Sequence, residues 1–143
     1  MDNFNLSRFH EAQDRDYATA LSEIRRGRKQ SHWIWYIFPQ IQGLGFSPTS
    51  KYYALSSLKE AKAYVEDSTL RTRLHEITAA LLDLDTDDAS RVMGHPDDMK
   101  LLSCMTLFEL AEPDCDLYRR VIERFYRGKR DKNTLEMVTK LEK

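Results

Sequence analysis

The sequence predicts an all-α chain: a compact, non-repeat bundle of about seven to eight short helices with a buried central helix near residues 96–111. Three observations predict it. Apolar residues recur at i, i+3, i+4 and i+7 along most of the chain. Residues that cap helices precede these stretches, and glycine or proline follows them. No segment finds a convincing pairing partner as a strand. With 143 residues, a single all-helical domain over 1–143 is expected, and a domain of this size buries roughly 68–70% of the surface its unfolded chain exposes.

A hydrophobic content of 41%, with 31% charged residues, is ordinary for a globular protein, and the net charge of −1 gives no global attraction to nucleic acid or acidic lipid. The opening MDNFNLSRF lacks a basic start and an apolar core, and no apolar run approaches the ~20 residues of a membrane helix. A cytoplasmic protein without a membrane partner is therefore expected. Cys104 and Cys115 match no metal-binding spacing, so reduced thiols are expected, with no metal and no cofactor.

In chain order, Asn5 or Ser7 caps a short helix through Leu6 and Phe9, and Asp14 or Asp16 caps a second, running to Arg26. Tyr17, Ala20, Leu21 and Ile24 form one face of that second helix, and Gly27 ends it. The cluster Arg25, Arg26, Arg28 and Lys29 follows. Cations beside aromatic rings are the arrangement of many single-strand binders, but bases at a helix C-terminus also complement its dipole. The second reading is preferred, and nucleic acid is not expected as a partner.

Ser31 to Ser47, SHWIWYIFPQIQGLGFS, holds Trp33, Trp35, Tyr36, Phe38 and Phe46. Ser31 as a cap and Pro39 as a stop frame a helix of about two turns, apolar all round and hence expected to run through the core. Gly43 and Gly45 supply a turn where backbone approaches a neighbour closely, and Ser47-Pro48 begins the next segment. Ser57 with Glu60 forms a capping box, Ser68 caps a helix carrying Leu70, Leu74, Ile77 and Leu81, and Asp87 caps a short turn that Gly94 ends.

Pro96 then opens the central helix at its favoured first position, with Asp97 and Asp98 in the first turn. Leu101, Leu102, Met105, Leu107, Phe108 and Leu110 leave it no wide polar face. Yet Asp97, Lys100, Ser103 and Thr106 wind across it at i+3 steps, each touching its neighbour. A buried lysine costs several kcal/mol unless paired, and Asp97 is the partner in reach. Asp114 or Asp116 caps the next helix, which Gly128 ends, and Asn133 with Glu136 caps the last. Six acids between Asp83 and Asp98 face Arg91 alone, whereas seven bases between Arg119 and Lys132 face Glu123 and Asp131. The two segments are expected to offset each other in the fold.

Familiar catalytic signatures are missing. His75-Glu76 has Ala79 where a zincin helix needs a second histidine, and no GxGxxG, GxxxxGK[ST], GxSxG or CxxC occurs. The motifs SHWIWYIFPQ with GLGFS, GHPDDMKLLSCMTLF, and GKRDKNT closely resemble those of the small bacterial all-helical family known as domain of unknown function 1810, sometimes labelled calpastatin. The resemblance spans essentially the whole chain. It implies a compact all-α single domain and carries no reaction with it. The calpastatin label finds no support, because a globular helical chain is unlike a disordered protease inhibitor.

Chemistry then selects the residues to test. Trp33, Trp35, Phe38, Leu107 and Phe108 read as core, with the tryptophans as alternative pocket walls. His32, beside Lys29 at the start of the buried segment, is a candidate proton carrier. Asp97 and Lys100 read either as an internal ion pair or, with His32, as catalytic candidates. Lys29, Trp33, Gln40, Ser47, Ser103 and Thr106 are the ligand-binding candidates, and Asp131 and Thr134 are further polar groups that either cap helices or contact a ligand. Two function classes follow. In one, the 31–47 segment and the 96–111 helix form a pocket for a nucleotide-like or phosphorylated small molecule, as a binding protein or an enzyme. In the other, the motif residues are structural core of a non-catalytic module that binds a protein partner.

Overall fold

In the computed structural model, which describes residues 4–142, the first helix is continuous where two were expected: α1 spans Ser7–Arg25. Asp14 and Asp16 do not cap a second helix. Asp14 pairs with Arg73 at 2.7 Å, while Asp16 meets Arg15 at 3.1 Å and accepts a hydrogen bond from the Tyr36 hydroxyl. With nothing breaking the backbone ladder, α1 runs on to bury Phe9, Ala12, Ala20, Leu21 and Ile24, and Gly27 follows it at φ 83°.

The aromatic stretch holds one helical turn, α2 (Ile34–Ile37), shorter than the two expected. Ser31 does not cap it, because its hydroxyl donates to Glu23 on α1 at 2.6 Å. Trp33, Ile37 and Phe38 are buried, but Trp35 is only partly so and Phe46 is 84% exposed. The stretch therefore has a core side and an open side.

Gln40 and Gln42 then bond to Leu55 across an isolated parallel bridge, Leu55 N–H to Gln40 O at 2.9 Å and Gln42 N–H to Leu55 O at 2.8 Å. The expected close approach occurs at both glycines. A Cβ on Gly43, which sits at φ 103°, would lie 2.3 Å from Met137 Cε, and one on Gly45 would lie 2.6 Å from Ser50. Only glycine fits this turn.

Ser47 caps α3 (Pro48–Tyr53) and Ser57 caps α4 (Leu58–Glu66), each accepting from the amide three residues on, at 3.1 Å. Later caps are aspartates neighbouring the expected residues. Asp67 in place of Ser68 opens α5 (Ser68–Leu82), Asp88 in place of Asp87 opens α6 (Ala89–Met93), and Asp131 in place of Asn133 opens α9 (Lys132–Leu141). In each case the carboxylate accepts amide protons from the first turn, and for Asp67 it accepts two. α7 spans Asp97–Ala111 with Pro96 just outside it, and α8 spans Leu117–Tyr126.

α7 is the central element: it packs on α4, α6, α8 and α9 and touches α2. Leu101, Leu107 and Phe108 are fully buried, whereas Leu110 is partly exposed on the side that faces out. Near the start of α1, Arg8 is buried and ties that helix to the α3–α4 connection, bonding Glu60 at 2.9 Å and the carbonyls of Tyr52 and Ala54 at 2.8 and 3.0 Å. No helix among the described residues is long and apolar enough to cross a membrane.

Candidate functional site

The aromatic segment is anchored from below by a residue that helical periodicity does not single out. Glu23, buried on α1, accepts from the amides of Gln30 and Ser31 at 2.8 and 2.9 Å, from the Ser31 hydroxyl, and from the Trp33 indole N–H at 2.9 Å. Burial pushes its carboxyl up, but the donors of Ser31, Gln30 and Trp33 outweigh burial and hold it down at about 2. An ionised carboxylate thus folds the loop that carries Lys29 and sets the register of α2.

Lys29 leaves that loop toward α7. Its ammonium lies 2.8 Å from Asp97 Oδ2, donates to Ser31 O at 2.6 Å and sits 4.9 Å from the Trp33 ring centre. Asp97 Oδ1 accepts from Lys100 at 3.1 Å, the pairing read from the sequence. Burial pushes the Asp97 carboxyl up, yet the two ammonium groups prevail and lower it, Lys29 contributing more. Lys100 in turn lies over the Trp35 ring, 4.3 Å from its centre. The 31–47 segment and α7 therefore meet through a chain of contacts from Trp33 through Lys29, Asp97 and Lys100 to Trp35.

Beside this chain is a cavity of ≈ 220 Å³, whose polar lining comes from Gln40, Lys100, Ser103, Asp131 and Asn133, with Trp35 as its aromatic wall. Ser103 donates to Asp131 Oδ2 at 2.9 Å, and the same oxygen accepts from the Thr134 amide at 3.2 Å and from the Thr134 hydroxyl. The Asp131 amide donates to Thr106 at 2.9 Å, so the polar row of α7 positions the start of α9. Gln40 is buried, and its side-chain nitrogen has no hydrogen-bond partner. It also lines a second, far smaller space of ≈ 10 Å³ with Trp35, Gly45 and Ser50.

Of the residues chosen from the sequence, Gln40, Lys100 and Ser103 line the cavity, and Asp97 and Lys29 stand behind Lys100. Trp33 is buried against Glu23, and Thr106 is buried behind the α9 cap. Ser47 caps α3, and His32 is exposed and is not among the lining residues. Trp35 replaces Trp33 as the aromatic wall, and Asp131 and Asn133 join it. Two tryptophans two positions apart look alike in a pattern, and only the Glu23 anchor tells which turns inward.

A separate group offers metal-ligand atoms. His75, Glu112 and Cys115, all half-buried, place one ligand atom each within 4.8 Å of one another. They come from α5, the end of α7 and the loop before α8. Glu112 Oε1 accepts from the Tyr118 hydroxyl at 2.7 Å and bonds His75 at 2.8 Å, so these neighbours already engage that oxygen.

Among curated protein sequences none matches this chain. It is similar to the conserved hypothetical protein Rv1873 from Mycobacterium tuberculosis, whose crystal structure shares 39% identity with it at a TM-score of 0.94, over 96% of this chain and 99% of that one. The family model described as "Protein of unknown function (DUF1810)" matches residues 3–138, nearly the whole chain and all three motifs, and the protein belongs to that family.

Proposed function

We propose that the protein binds a small molecule carrying a planar ring and an anionic group, a nucleotide-like or phosphorylated compound, in the cavity between Trp35 and α7. The observation that carries this reading is the Gln40 amide nitrogen, a buried donor without an acceptor on a residue that lines that cavity. Buried polar groups are nearly always satisfied, and an unpaired one costs about 1–3 kcal/mol. A ligand carbonyl or ring nitrogen would satisfy it. Trp35 offers an aromatic surface, Lys100 a cation, and Asp131 and Asn133 acceptors, a mixed set suited to a heteroaromatic ring bearing a charge.

The test is a calorimetric titration of nucleotides and sugar phosphates against the wild type, Lys100→Met and Gln40→Leu. At least one compound binds the wild type, and each variant weakens it by about tenfold or more, consistent with losing one hydrogen bond to a charged or buried group. Lys100 sits at the rim of the cavity, so its variant keeps a melting temperature near that of the wild type. If no compound in the panel binds, the reading fails.

A further inference from the structure

A second opening lies on the other side of Asp97. It is a cleft of ≈ 540 Å³ lined by Arg26, Arg28, Lys29, Arg91 and the glycines 27 and 94. Most arginines of this chain are held: Arg8 by Glu60, Arg73 by Asp14, and Arg130 by both oxygens of Glu109. Among the described residues, the guanidinium groups of Arg26, Arg28 and Arg91 have no such partner, although all three are exposed around one cleft. The walls are fixed to each other, since the Lys29 amide donates to Val92 O at 2.7 Å. Gly94, at φ 76° with nothing within 4 Å of a Cβ position, leaves one edge open.

We propose that this cleft is the phosphate subsite for the ligand whose ring enters the Trp35 cavity, and that the ligand is a diphosphate ester of nucleotide type. The link to the ring rests on the reading given above. The two openings share one carboxylate: Lys29, in the wall of the cleft, holds Asp97 Oδ2, and Lys100, in the wall of the cavity, holds Asp97 Oδ1. Along the chain only His95 separates Gly94, in the cleft, from Pro96, at the cavity. Lys29 is held by Asp97, whose single charge it shares with Lys100, whereas among the described residues the three guanidinium groups have no carboxylate partner, and their planar forks suit phosphate oxygens. A long polyanion is disfavoured: Asp85, Asp87 and Asp88 are exposed on the approach to α6, and the net charge is −1. A compact diphosphate avoids them.

Titrations of inorganic pyrophosphate, adenosine, AMP and ADP, followed by calorimetry and by phosphorus NMR, test the proposal in the wild type, in the double variant Arg28→Ala/Arg91→Ala and in Lys100→Met. Pyrophosphate binds the wild type and Lys100→Met alike, and the double variant weakens it by about tenfold or more. ADP binds more tightly than AMP, and the double variant removes that gain without changing the affinity for adenosine. Equal affinity of the wild type and the double variant for pyrophosphate and ADP overturns the subsite. Pyrophosphate binding with no added affinity from an attached nucleoside overturns the link to the cavity while leaving an isolated anion site. Tighter, arginine-dependent binding of a single-stranded oligonucleotide than of ADP overturns the assignment to a small ligand.

Discussion

The ammonium of Lys29 lies 2.8 Å from Asp97 Oδ2, and the lysine side chain is only 6% exposed. This contact joins the loop after α1 to the first turn of α7, and it brings the aromatic segment and the central helix together. Removing one member of a buried pair leaves the other charge uncompensated, at a cost of about 3–5 kcal/mol. Asp97→Asn is therefore expected to lower stability by about 3 kcal/mol in urea unfolding. The double variant Lys29→Met/Asp97→Asn should be less damaging than the sum of the two singles by about 1 kcal/mol or more. Additive single effects would show that the pair does not couple the two segments.

Glu23 gives the protein an acid-sensitive anchor. Its folded carboxyl lies at about 2 against an ordinary 4.5, and depression in the folded state means stability that is complete above about 4.5 and lost as pH falls toward 2. The difference corresponds to something on the order of 3 kcal/mol. Glu23→Gln should be destabilised near neutral pH, because an amide cannot accept on both sides from the donors of Gln30, Ser31 and Trp33. The gap between variant and wild type should then narrow between pH 4.5 and pH 2. A gap that stays constant through this window would contradict the anchor.

Arg8 makes a fork of bonds that a lysine cannot reproduce, reaching Glu60 and the carbonyls of Tyr52 and Ala54 from one planar group. Arg8→Lys should keep the charge yet lose about 1–3 kcal/mol, since some of the buried acceptors go unpaired. Thermal unfolding measures this, and a melting temperature equal to that of the wild type would refute it.

The two thiols should separate by reactivity. Cys104 is fully buried on α7, and burial raises its thiol well above the usual value; Cys115 is half-buried and raised mainly by burial as well, with Glu112 and Asp116 adding to it. A thiol reagent at neutral pH should label Cys115 slowly and Cys104 only on unfolding. Equal labelling rates in the folded protein would contradict this packing.

Much of this was legible in the residues themselves. Ser47 and Ser57 cap as their positions indicate, Gly43 and Gly45 allow the close approach expected of them, and Asp97 meets Lys100 at the i+3 step. The misses are tertiary. Asp14 and Asp16 resemble caps, but Arg73, Arg15 and Tyr36 engage their side chains and α1 continues past them. Ser31 resembles a cap, but its hydroxyl donates to Glu23, and the other oxygen of that carboxylate accepts from the Trp33 indole, which faces inward while Trp35 lies at the cavity. Local spacing names the residues that meet within a helix, whereas the Lys29–Asp97 pair spans 68 positions and no local pattern announces it.

The two indole N–H signals give the most direct test of the cavity. Trp35 forms its wall beneath Lys100, whereas Trp33 is locked onto Glu23 and serves as an internal control. Nitrogen-15 spectra recorded during titration with nucleotides and sugar phosphates should show the Trp35 indole signal moving to saturation while that of Trp33 stays in place. Lys100→Met should weaken the response strongly. A Trp35 signal that no compound moves, or one that moves equally in Lys100→Met, would contradict a ligand site between these two residues.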